Sequence, residues 1–393
     1  MRSSTHRAKL MVIFGTRPEA IKMAPVIAAL RQRPHAFEVT VVVTAQHRDM
    51  LDQVLEYFGL VPEYDLDAMT PRQSFTRLTT RVLCRLEEIL ARERPQMVMV
   101  HGDTLTTFLA ALAAFYQRIP VAHVEAGLRT GNKYAPYPEE MMRRLVACVA
   151  ELNFCPTVVA RANLLAEGVR EEAIFVTGNT AIDAVLATAR RDYQFRDRRV
   201  RQLLETGKRL ILAEVHRREN FGPPLRRICR AFRLVVERAP DVSMLLSVHR
   251  NPEVMEAVAE MGQHPRITLT EPLSYPEWVN LMARAYLILS DSGGVQEEAP
   301  ALGTPVLVLR EVTERPEALV AGTVALVGTD TESIVAAAVR LLEDPESQRR
   351  MASAPNPYGD GRAAQRIADA LEYHFGFRPR PPEPFRAPQL RSR

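Results

Sequence analysis

The chain has 393 residues, of which 47% are hydrophobic and 25% charged, a composition typical of a globular protein large enough for two domains. No apolar run reaches the ~18 residues that a membrane span needs, and the basic start leads directly into a predicted strand, without the apolar segment of a secretory signal. The first nine residues carry three positive charges and residues 377–393 a net four, so the remaining body carries about −3 and gives no support for nucleic-acid binding.

The cysteines and the chain ends lead to two further predictions. The four cysteines form no CxxC or His-paired pattern, which predicts reduced thiols and a cytoplasmic protein. Residues 1–9 and the Pro- and Arg-rich residues 377–393 are expected to be disordered tails, because such segments bury too little apolar surface to fold.

The first half repeats a strand, a turn and a helix. The continuous apolar run at 10–14 predicts a strand buried on both faces of a parallel sheet, and further strands are predicted at 37–44, 97–100, 121–124, 152–155 and 174–176. Polar residues follow these strands, and the carboxyl edge of an open α/β sheet is where ligands bind. Arg17 and Lys22 lie at the mouth of the first turn, Asp103 and Glu125 follow later strands, and Glu139 opens a helix. The alternatives are solvated surface cations and carboxylates that cap the next helix.

A second observation supports a functional role for Lys22. Only four of the 51 basic residues are lysine, so a lysine kept at this turn suggests a need for its compact ammonium group.

The second half begins after a charged segment, 183–207, that is predicted to be a helical connection between domains. Apolar runs then predict strands at 210–215, 244–248, 267–269, 286–289, 305–309 and 323–327. His216 and His249 follow two of these strands, much as His101 and His123 lie on strands of the first half. The chain therefore has the pattern of two doubly wound α/β halves whose carboxyl edges face one cleft.

The stretch Ser290-Asp291-Ser292-Gly293-Gly294 joins a strand to a helix. The two glycines allow a ligand to approach the backbone closely, and the N–H groups of the helix start favour an anion. Glu298, one turn later, would point back toward that anion, which suggests a diphosphate beside a ribose. The alternative is a simple strand-to-helix turn. No HxH or HExxH spacing indicates a metal site, and no GxSxG nucleophile motif is present. A nucleotide-diphospho-sugar between the two halves fits these features.

The sequence also contains a series of long motifs. In chain order they are FGTRPEAIKMAP (14–25), TAQHRDMLDQVL (44–55), VHGDT (100–104), HVEAGLRTG (123–131), PEE (138–140), TGNT (177–180), HRREN (216–220), DSGGVQEEAP (291–300), TERPE (313–317) and NPYGDG (356–361). Through these motifs, the chain resembles the non-hydrolysing UDP-N-acetylglucosamine 2-epimerases over residues 10–376.

This resemblance implies a glycosyltransferase-B-like fold of two Rossmann-like α/β domains. An N-terminal domain over 10–182 would be completed by the C-terminal helix 362–376, and a C-terminal domain over 183–361 would bind UDP. The family interconverts UDP-GlcNAc and UDP-ManNAc by eliminating UDP to 2-acetamidoglucal and adding it back, which inverts C2 and supplies ManNAc for cell-surface polysaccharide. No cofactor or metal is expected for this chain.

The resemblance also implies residue roles. The acid-base set would be Asp103, Glu125 and Glu139, with His216 as a further catalytic candidate. Diphosphate and ribose contacts would come from Arg17, Ser292, Gly293, Gly294 and Glu298. Other substrate positions would be Lys22, Arg143, Arg315 and Trp278, the last near the uracil. A second UDP-GlcNAc, an activator in many bacterial members, would contact Gln46, Arg72, Arg217 and His249. A homodimer is implied as well.

The chain departs from the family pattern at Met142, where an Asn is frequent, and at Glu214 and Val215, where a small or hydroxyl residue precedes the HRREN word. The segment Leu273-Ser274-Tyr275 also lacks a glutamine that some members use. Three other functions remain open for this sequence. They are a hydrolysing epimerase that releases ManNAc and UDP, a glycosyltransferase of the same fold, and a UDP-sugar-binding regulator without turnover.

Overall fold

The computed structural model describes residues 7–44, 48–68, 74–313 and 315–387. Contacts within these ranges divide the chain into two compact units. Unit 1 runs to Ala184 and includes Tyr358–Arg386, and unit 2 comprises Val185–Pro357. None of the helices in the described ranges is long and apolar enough to cross a membrane.

Unit 1 is built on a parallel sheet of seven strands. They are β1 (Ala8–Phe14), β2 (Phe37–Val43), β3 (Tyr64–Asp65), β4 (Met97–His101), β5 (Val121–Val124), β6 (Leu152–Cys155) and β7 (Ile174–Val176), in the order β3-β2-β1-β4-β5-β6-β7. The chain moves outward from β1 to β3 and then returns to place β4 on the other side of β1. The topological switch point of this sheet, where ligands bind in such folds, therefore lies between β1 and β4.

Eight helices accompany this sheet. They are α1 (Arg17–Arg31), α2 (Arg48–Tyr57), α3 (Phe75–Glu93), α4 (Leu105–Tyr116), α5 (Glu139–Val149), α6 (Val158–Ala166), α7 (Thr180–Thr188), which continues into unit 2, and α16 (Ala363–His374). The predicted apolar run of β1 is wholly buried from Leu10 to Phe14, as a strand covered on both faces requires.

Helix α16 is fastened to unit 1 by Asp183. The carboxylate of Asp183 accepts hydrogen bonds from the N–H groups of Ala363 (3.1 Å) and Ala364 (2.8 Å), the first residues of the helix. Burial raises the pKa of Asp183 to about 6, although these two hydrogen bonds favour the charged form. Asp183, which lies just before unit 2 in the sequence, therefore fixes helix α16. With this helix the chain returns to unit 1.

Unit 2 repeats the architecture with a parallel sheet of six strands. They are β8 (Arg209–Val215), β9 (Val242–Val248), β10 (Ile267–Thr270), β11 (Leu287–Ser290), β12 (Val306–Val308) and β13 (Val324–Leu326), in the order β10-β9-β8-β11-β12-β13. Its helices are α8 (Arg198–Glu205), α9 (Pro223–Arg238), α10 (Pro252–Met261), α11 (Tyr275–Met282), α12 (Gly293–Glu298), α13 (Pro316–Ala321), α14 (Thr331–Glu343) and α15 (Pro345–Ala352). Because β11 pairs with β8, the switch point of this sheet lies between those two strands.

The continuous helix predicted over 183–207 is wrong, since α7 and α8 are separated by residues 189–197. The backbone N–H of Arg190 donates to the side chain of Asn280 (2.8 Å) and that of Arg196 to the carboxylate of Glu277 (3.0 Å), both on α11. Asp197 then caps α8 by accepting from the N–H of Arg199 at 2.7 Å. These tertiary partners replace the hydrogen bonds that a helix would supply.

The expectation of disordered tails is wrong for Ala8, Lys9 and residues 377–386. Ala8 and Lys9 belong to β1, and the ammonium of Lys9 lies 2.7 Å from the carboxylate of Glu93. Near the other end, Phe385 is buried, and its N–H donates to the carbonyl of Val176 at 2.8 Å. Arg378 also pairs with Asp369 at 2.8 Å, so the segment is anchored at both ends despite its content of proline and arginine. Residues 1–6 and 388–393 lie outside the described ranges.

Candidate active site

The two loops at the switch point of unit 1 are joined by one buried glutamate. Glu19 completes a capping box with Thr16 at the start of α1. Its carboxylate accepts from the N–H groups of Gly15 (3.0 Å) and Thr16 (2.7 Å) and from the hydroxyls of Thr104 (2.6 Å) and Thr107 (2.9 Å). Glu19 therefore holds the loop of Arg17, after β1, against the loop of Asp103, after β4.

Gly15 allows the close approach of these loops. A β-carbon on Gly15 would lie 2.2 Å from the hydroxyl oxygen of Thr44 and 2.5 Å from that of Thr106. The glycine is thus required by space, and its φ is not in the left-handed region.

Glu125 follows β5 in a left-handed backbone conformation, with φ of +63°. Its Oε2 pairs with the ammonium of Lys22 and accepts from the side-chain amide of Asn179 at 3.1 Å, while the Nε2 of His101 lies 3.7 Å away. Burial by itself would raise the pKa of Glu125, but the charge of Lys22, together with His101, outweighs burial and holds that pKa well below its usual range. The retained lysine and a predicted acid-base residue therefore form one buried ion pair.

Asp103 has a different cation. Its carboxylate pairs with the guanidinium of Arg143 on α5, and both side chains are largely buried. Met142, one of the departures from the family pattern, packs against the hydrophobic cluster of unit 1. The residue before Arg143 thus contributes to the core of this unit.

Glu139 and Glu140 are neighbours with opposite surroundings. Glu140 is fully buried and accepts from the N–H groups of Thr130 (3.0 Å) and Gly131 (3.3 Å). Glu139 is half-buried and has no hydrogen-bond or ion-pair partner in the part of the chain that the structure describes. One glutamate therefore fixes the preceding loop, and the other keeps its carboxylate available.

In unit 2, the loops at the switch point meet at Asp291, which is fully buried after β11. Its carboxylate accepts from the N–H groups of His216 (3.1 Å) and Arg217 (2.9 Å) and from the side-chain amide of Asn220 (2.9 Å). The HRREN motif is therefore shaped by the aspartate of the DSGG motif.

The imidazole of His216 is also directed by this aspartate. Its Nδ1 lies 3.5 Å from Asp291 and 3.9 Å from the carboxylate of Glu214, the second departure from the family pattern. Burial lowers the pKa of His216, Arg217 and His249 lower it further, and Asp291 only partly opposes them. His216 is thus a neutral imidazole at pH 7, and the ring of His249 lies 6.1 Å away, centre to centre.

The glycines of the DSGG motif begin α12 beside two arginines. A β-carbon on Gly293 would lie 3.0 Å from the Cζ of Arg315 and 3.3 Å from an Nη of Arg217. A β-carbon on Gly294 would be 3.8 Å from the carboxylate of Glu298, so that side chain points back toward the glycines. Amide N–H groups and two guanidinium groups form a suitable environment for an anion.

The remaining predicted residues are placed as follows. Arg17 is the first residue of α1, Ser292 precedes α12, and Trp278 is half-buried on α11. The indole N–H of Trp278 donates to none of the described residues. Gln46 and Arg72 lie outside the described ranges.

Sequence reasoning missed the structural roles of Glu19, Glu140, Asn179 and Asp291. Only the first had a local signal, because Thr16 and Glu19 have the spacing of a capping box. Within the described ranges, no group of three or more His, Cys, Asp and Glu side chains could hold a metal ion.

Two parallel α/β units, each with charged residues at its switch point, define a two-domain protein of the glycosyltransferase-B-like class. The family model for UDP-N-acetylglucosamine 2-epimerase matches residues 28–372. The chain belongs to this family.

Three relatives illustrate the similarity. The UDP-N-acetylglucosamine 2-epimerase of Bacillus subtilis is 49% identical over 381 residues, covering 96% of this chain and 99% of the relative. The structure of the Neisseria meningitidis UDP-GlcNAc 2-epimerase bound to UDP-GlcNAc has a TM-score of 0.83 at 44% identity and covers 93% of this chain and all of the other. That of Methanocaldococcus jannaschii, in complex with UDP-GlcNAc and UDP, has a TM-score of 0.75 at 34% identity over 93% of this chain and 99% of the other.

Proposed function

We propose that this chain catalyses the reversible epimerisation of UDP-GlcNAc to UDP-ManNAc at C2 of the sugar, without releasing free ManNAc. The observation that carries the proposal is the ion pairing of two expected acid-base residues, Glu125 with Lys22 and Asp103 with Arg143, at the carboxyl edge of unit 1. Membership in the family, and the UDP-GlcNAc in the Neisseria meningitidis relative, support the choice of substrate.

The chemistry explains why several carboxylates are needed. The proton at C2 is not acidic in the ground state and can leave only as the C1–O bond to UDP breaks. A positioned base then takes the proton, the electron pair forms the C1–C2 double bond of 2-acetamidoglucal, and UDP departs with the electrons of the C1–O bond. UDP adds back while C2 receives a proton on the opposite face. Two faces require two acid-base groups, which we draw from Asp103, Glu125 and Glu139.

The departing diphosphate needs electrostatic stabilisation, since negative charge develops on it in the transition state. We assign this task to the amide N–H groups of Ser292, Gly293 and Gly294 with Arg315 and Arg17. Glu298 would hold the ribose, and Trp278 would lie near the uracil.

His216 is assigned to the same diphosphate. Its Nδ1 is turned toward Asp291, so its Nε2 is the nitrogen that can exchange a proton with the leaving oxygen.

We also propose a second UDP-GlcNAc as activator, with Arg217 and His249 among its contacts. The geometry that supports this role is the guanidinium of Arg217 beside Gly293 and the ring of His249 beside His216. Gln46 and Arg72 stay predictions for the same ligand. A homodimer, a role in cell-surface polysaccharide synthesis and a cytoplasmic location complete the proposal; the four free cysteines fit the last of these.

The test is proton NMR of the purified protein with UDP-GlcNAc in heavy water. We expect a minority signal of UDP-ManNAc and the entry of deuterium at C2 of both epimers. Free ManNAc accumulating with UDP would indicate the hydrolysing enzyme instead. Binding of UDP-GlcNAc without any conversion would leave a glycosyltransferase or a regulator as the alternative.

A further inference from the structure

His101 is a buried histidine whose ring has no hydrogen-bond partner in the described ranges. It is the last residue of β4, only 3% of it is exposed, and both Nδ1 and Nε2 are unpartnered there. Its backbone carbonyl lies 2.6 Å from the hydroxyl of Thr107, which also contacts Glu19. Buried polar groups in native proteins are nearly always paired, so an unpaired imidazole next to predicted catalytic residues calls for an explanation.

The neighbouring histidine is a useful contrast. His123, on β5, is also fully buried, but its Nε2 lies 2.7 Å from the carbonyl of Gly102. Burial lowers the pKa of His123 to about 3, so this ring is neutral, and it donates to that carbonyl. His123 thus stabilises the loop that carries Asp103. His101 has no such structural hydrogen bond, although it lies one strand away.

His101 faces the carboxylate of Glu125. The Nε2 of His101 lies 3.7 Å from Oε2, the oxygen that already pairs with Lys22 and accepts from Asn179. The other oxygen, Oε1, accepts no hydrogen bond from any described residue, and it lies 3.9 Å from where a β-carbon on Gly102 would be. The donors are therefore all on one side of the carboxylate, and the loop that leads to Asp103 is on the other.

We propose that His101 is a positioning residue for the epimerisation: its Nε2–H becomes the third donor to Oε2 of Glu125, which leaves Oε1 as the oxygen that exchanges the C2 proton of the sugar. This inference rests on the proposed function. The distance of 3.7 Å has to shorten by less than 1 Å to become a hydrogen bond, which a rotation of the ring or of the carboxylate provides. Catalytic hydrogen bonds are often long until substrate binds.

The groups that meet at Glu125 explain why an N–H donor suits this position. His101 faces the carboxylate of Glu125 after β5, the ammonium of Lys22 from α1 pairs with the same oxygen, and the neutral His123 lies on the adjacent strand β5. When Glu125 takes the C2 proton, its negative charge disappears while Lys22 stays positive. An N–H donor at His101 would keep the carboxyl group oriented during that transfer.

The test compares His101→Phe with His101→Gln in the full-length enzyme. Phe keeps the ring without a donor, and Gln keeps an N–H donor on a side chain of similar reach. We expect His101→Phe to lower kcat by about 10²-fold, the scale of a misplaced catalytic group, with KM within about 2-fold of wild type. His101→Gln should recover most of this loss.

Two readouts separate positioning from a purely structural role. Loss of a donor raises the pKa of Glu125, so whichever limb of the kcat–pH profile Glu125 controls should move to higher pH in His101→Phe and return in His101→Gln. With substrate deuterated at C2, the isotope effect on kcat should rise in His101→Phe, because proton transfer becomes slower than the other steps.

A wild-type kcat and pH profile in His101→Phe would overturn the inference and leave the epimerase activity standing. Equal losses in both variants, with a lower melting temperature and no shift in the pH profile, would make His101 a structural residue. If the wild-type enzyme itself gives no UDP-ManNAc, the proposed function fails first and the inference fails with it.

Discussion

Glu125 in unit 1 and Asp291 in unit 2 are both held at the switch point of a parallel sheet, but their oxygens are used differently. Glu125 keeps Oε1 without a partner among the described residues, and its Oε2 is held by side chains from α1 and from the loop after β7. Both oxygens of Asp291 are occupied by N–H donors of the HRREN motif, and no surface of the residue is exposed.

The comparison shows that the role of a buried carboxylate follows from which of its oxygen atoms lack a hydrogen-bond partner. A carboxylate whose acceptor positions are filled by backbone N–H groups shapes a loop, as Asp291, Glu19 and Glu140 do. A carboxylate that is paired on one side with a cation can still exchange a proton on the other. Two predictions, on Asp103 and Asp291, test this distinction, and a third concerns the glycines of unit 2.

The largest expected effect is on turnover. Asp103→Asn keeps the shape of the side chain but removes the charge that pairs with Arg143. We expect epimerisation to fall by about 10²- to 10⁴-fold, the contribution of a positioned acid-base group, while UDP affinity stays within about 2-fold. The rate is measured by NMR and the affinity by calorimetry.

A matched control is Asp241→Asn, because Asp241 also pairs with an arginine, Arg209 at 2.7 Å, but stands before β9, away from the carboxyl edge of its sheet. The activity of Asp241→Asn should equal that of wild type, since exposed ion pairs contribute little to stability. Equal losses of turnover and UDP affinity in Asp103→Asn would make Asp103 structural.

The next effect is on stability. Asp291→Ala leaves the N–H groups of His216 and Arg217 and the amide of Asn220 without their buried acceptor. We expect a loss of about 2–4 kcal/mol in the free energy of unfolding of unit 2, because each buried donor left unpaired is costly. Urea unfolding of the full chain measures it, with Asp241→Asn, which loses only an exposed ion pair, as the comparison that should unfold like wild type.

Asp291→Asn refines the same point, since the amide retains one acceptor oxygen and should lose less stability than Asp291→Ala. If Asp291→Ala unfolds at the wild-type urea concentration but has lost activity, Asp291 would instead be a group that acts on the substrate. The distinction between the two carboxylates would then fail.

The sequence predicts most of the scaffold because the signals are local. Buried apolar runs place the strands, and the order in which polar residues follow them places Asp103, Glu125 and His216 at carboxyl edges. Two parallel α/β units of the predicted class are what the structure contains. The long motifs supply the family, and the matches at about 50% identity confirm it.

The sequence does not predict which residues far apart in the chain become partners. The pairs Lys22–Glu125, Asp103–Arg143 and His216–Asp291 join residues that are 40 to 103 positions apart, and no periodicity connects them. The same limit explains the wrong prediction for 189–197, where the contacts with α11 override a helical composition. Composition also fails to reveal a single buried side chain such as Phe385.

The smallest effect concerns the anion site of unit 2. Gly293→Ala would bring a β-carbon within 3.0 Å of the Cζ of Arg315 and 3.3 Å of Arg217, so the two guanidinium groups must move. We expect the dissociation constant for UDP to rise about 10-fold, which corresponds to about 1.4 kcal/mol. Calorimetry with UDP measures this change.

Gly294→Ala is the matched comparison, because its β-carbon would meet nothing closer than 3.8 Å and would displace neither arginine. Neither glycine has a φ in the left-handed region, and both lie in α12, so alanine should not destabilise the helix at either position. A larger loss of affinity in Gly293→Ala than in Gly294→Ala would show that the placement of the arginines decides UDP binding. Equal losses would show instead that UDP needs both backbone positions without a side chain, and the arginines would then matter less than the amide N–H groups.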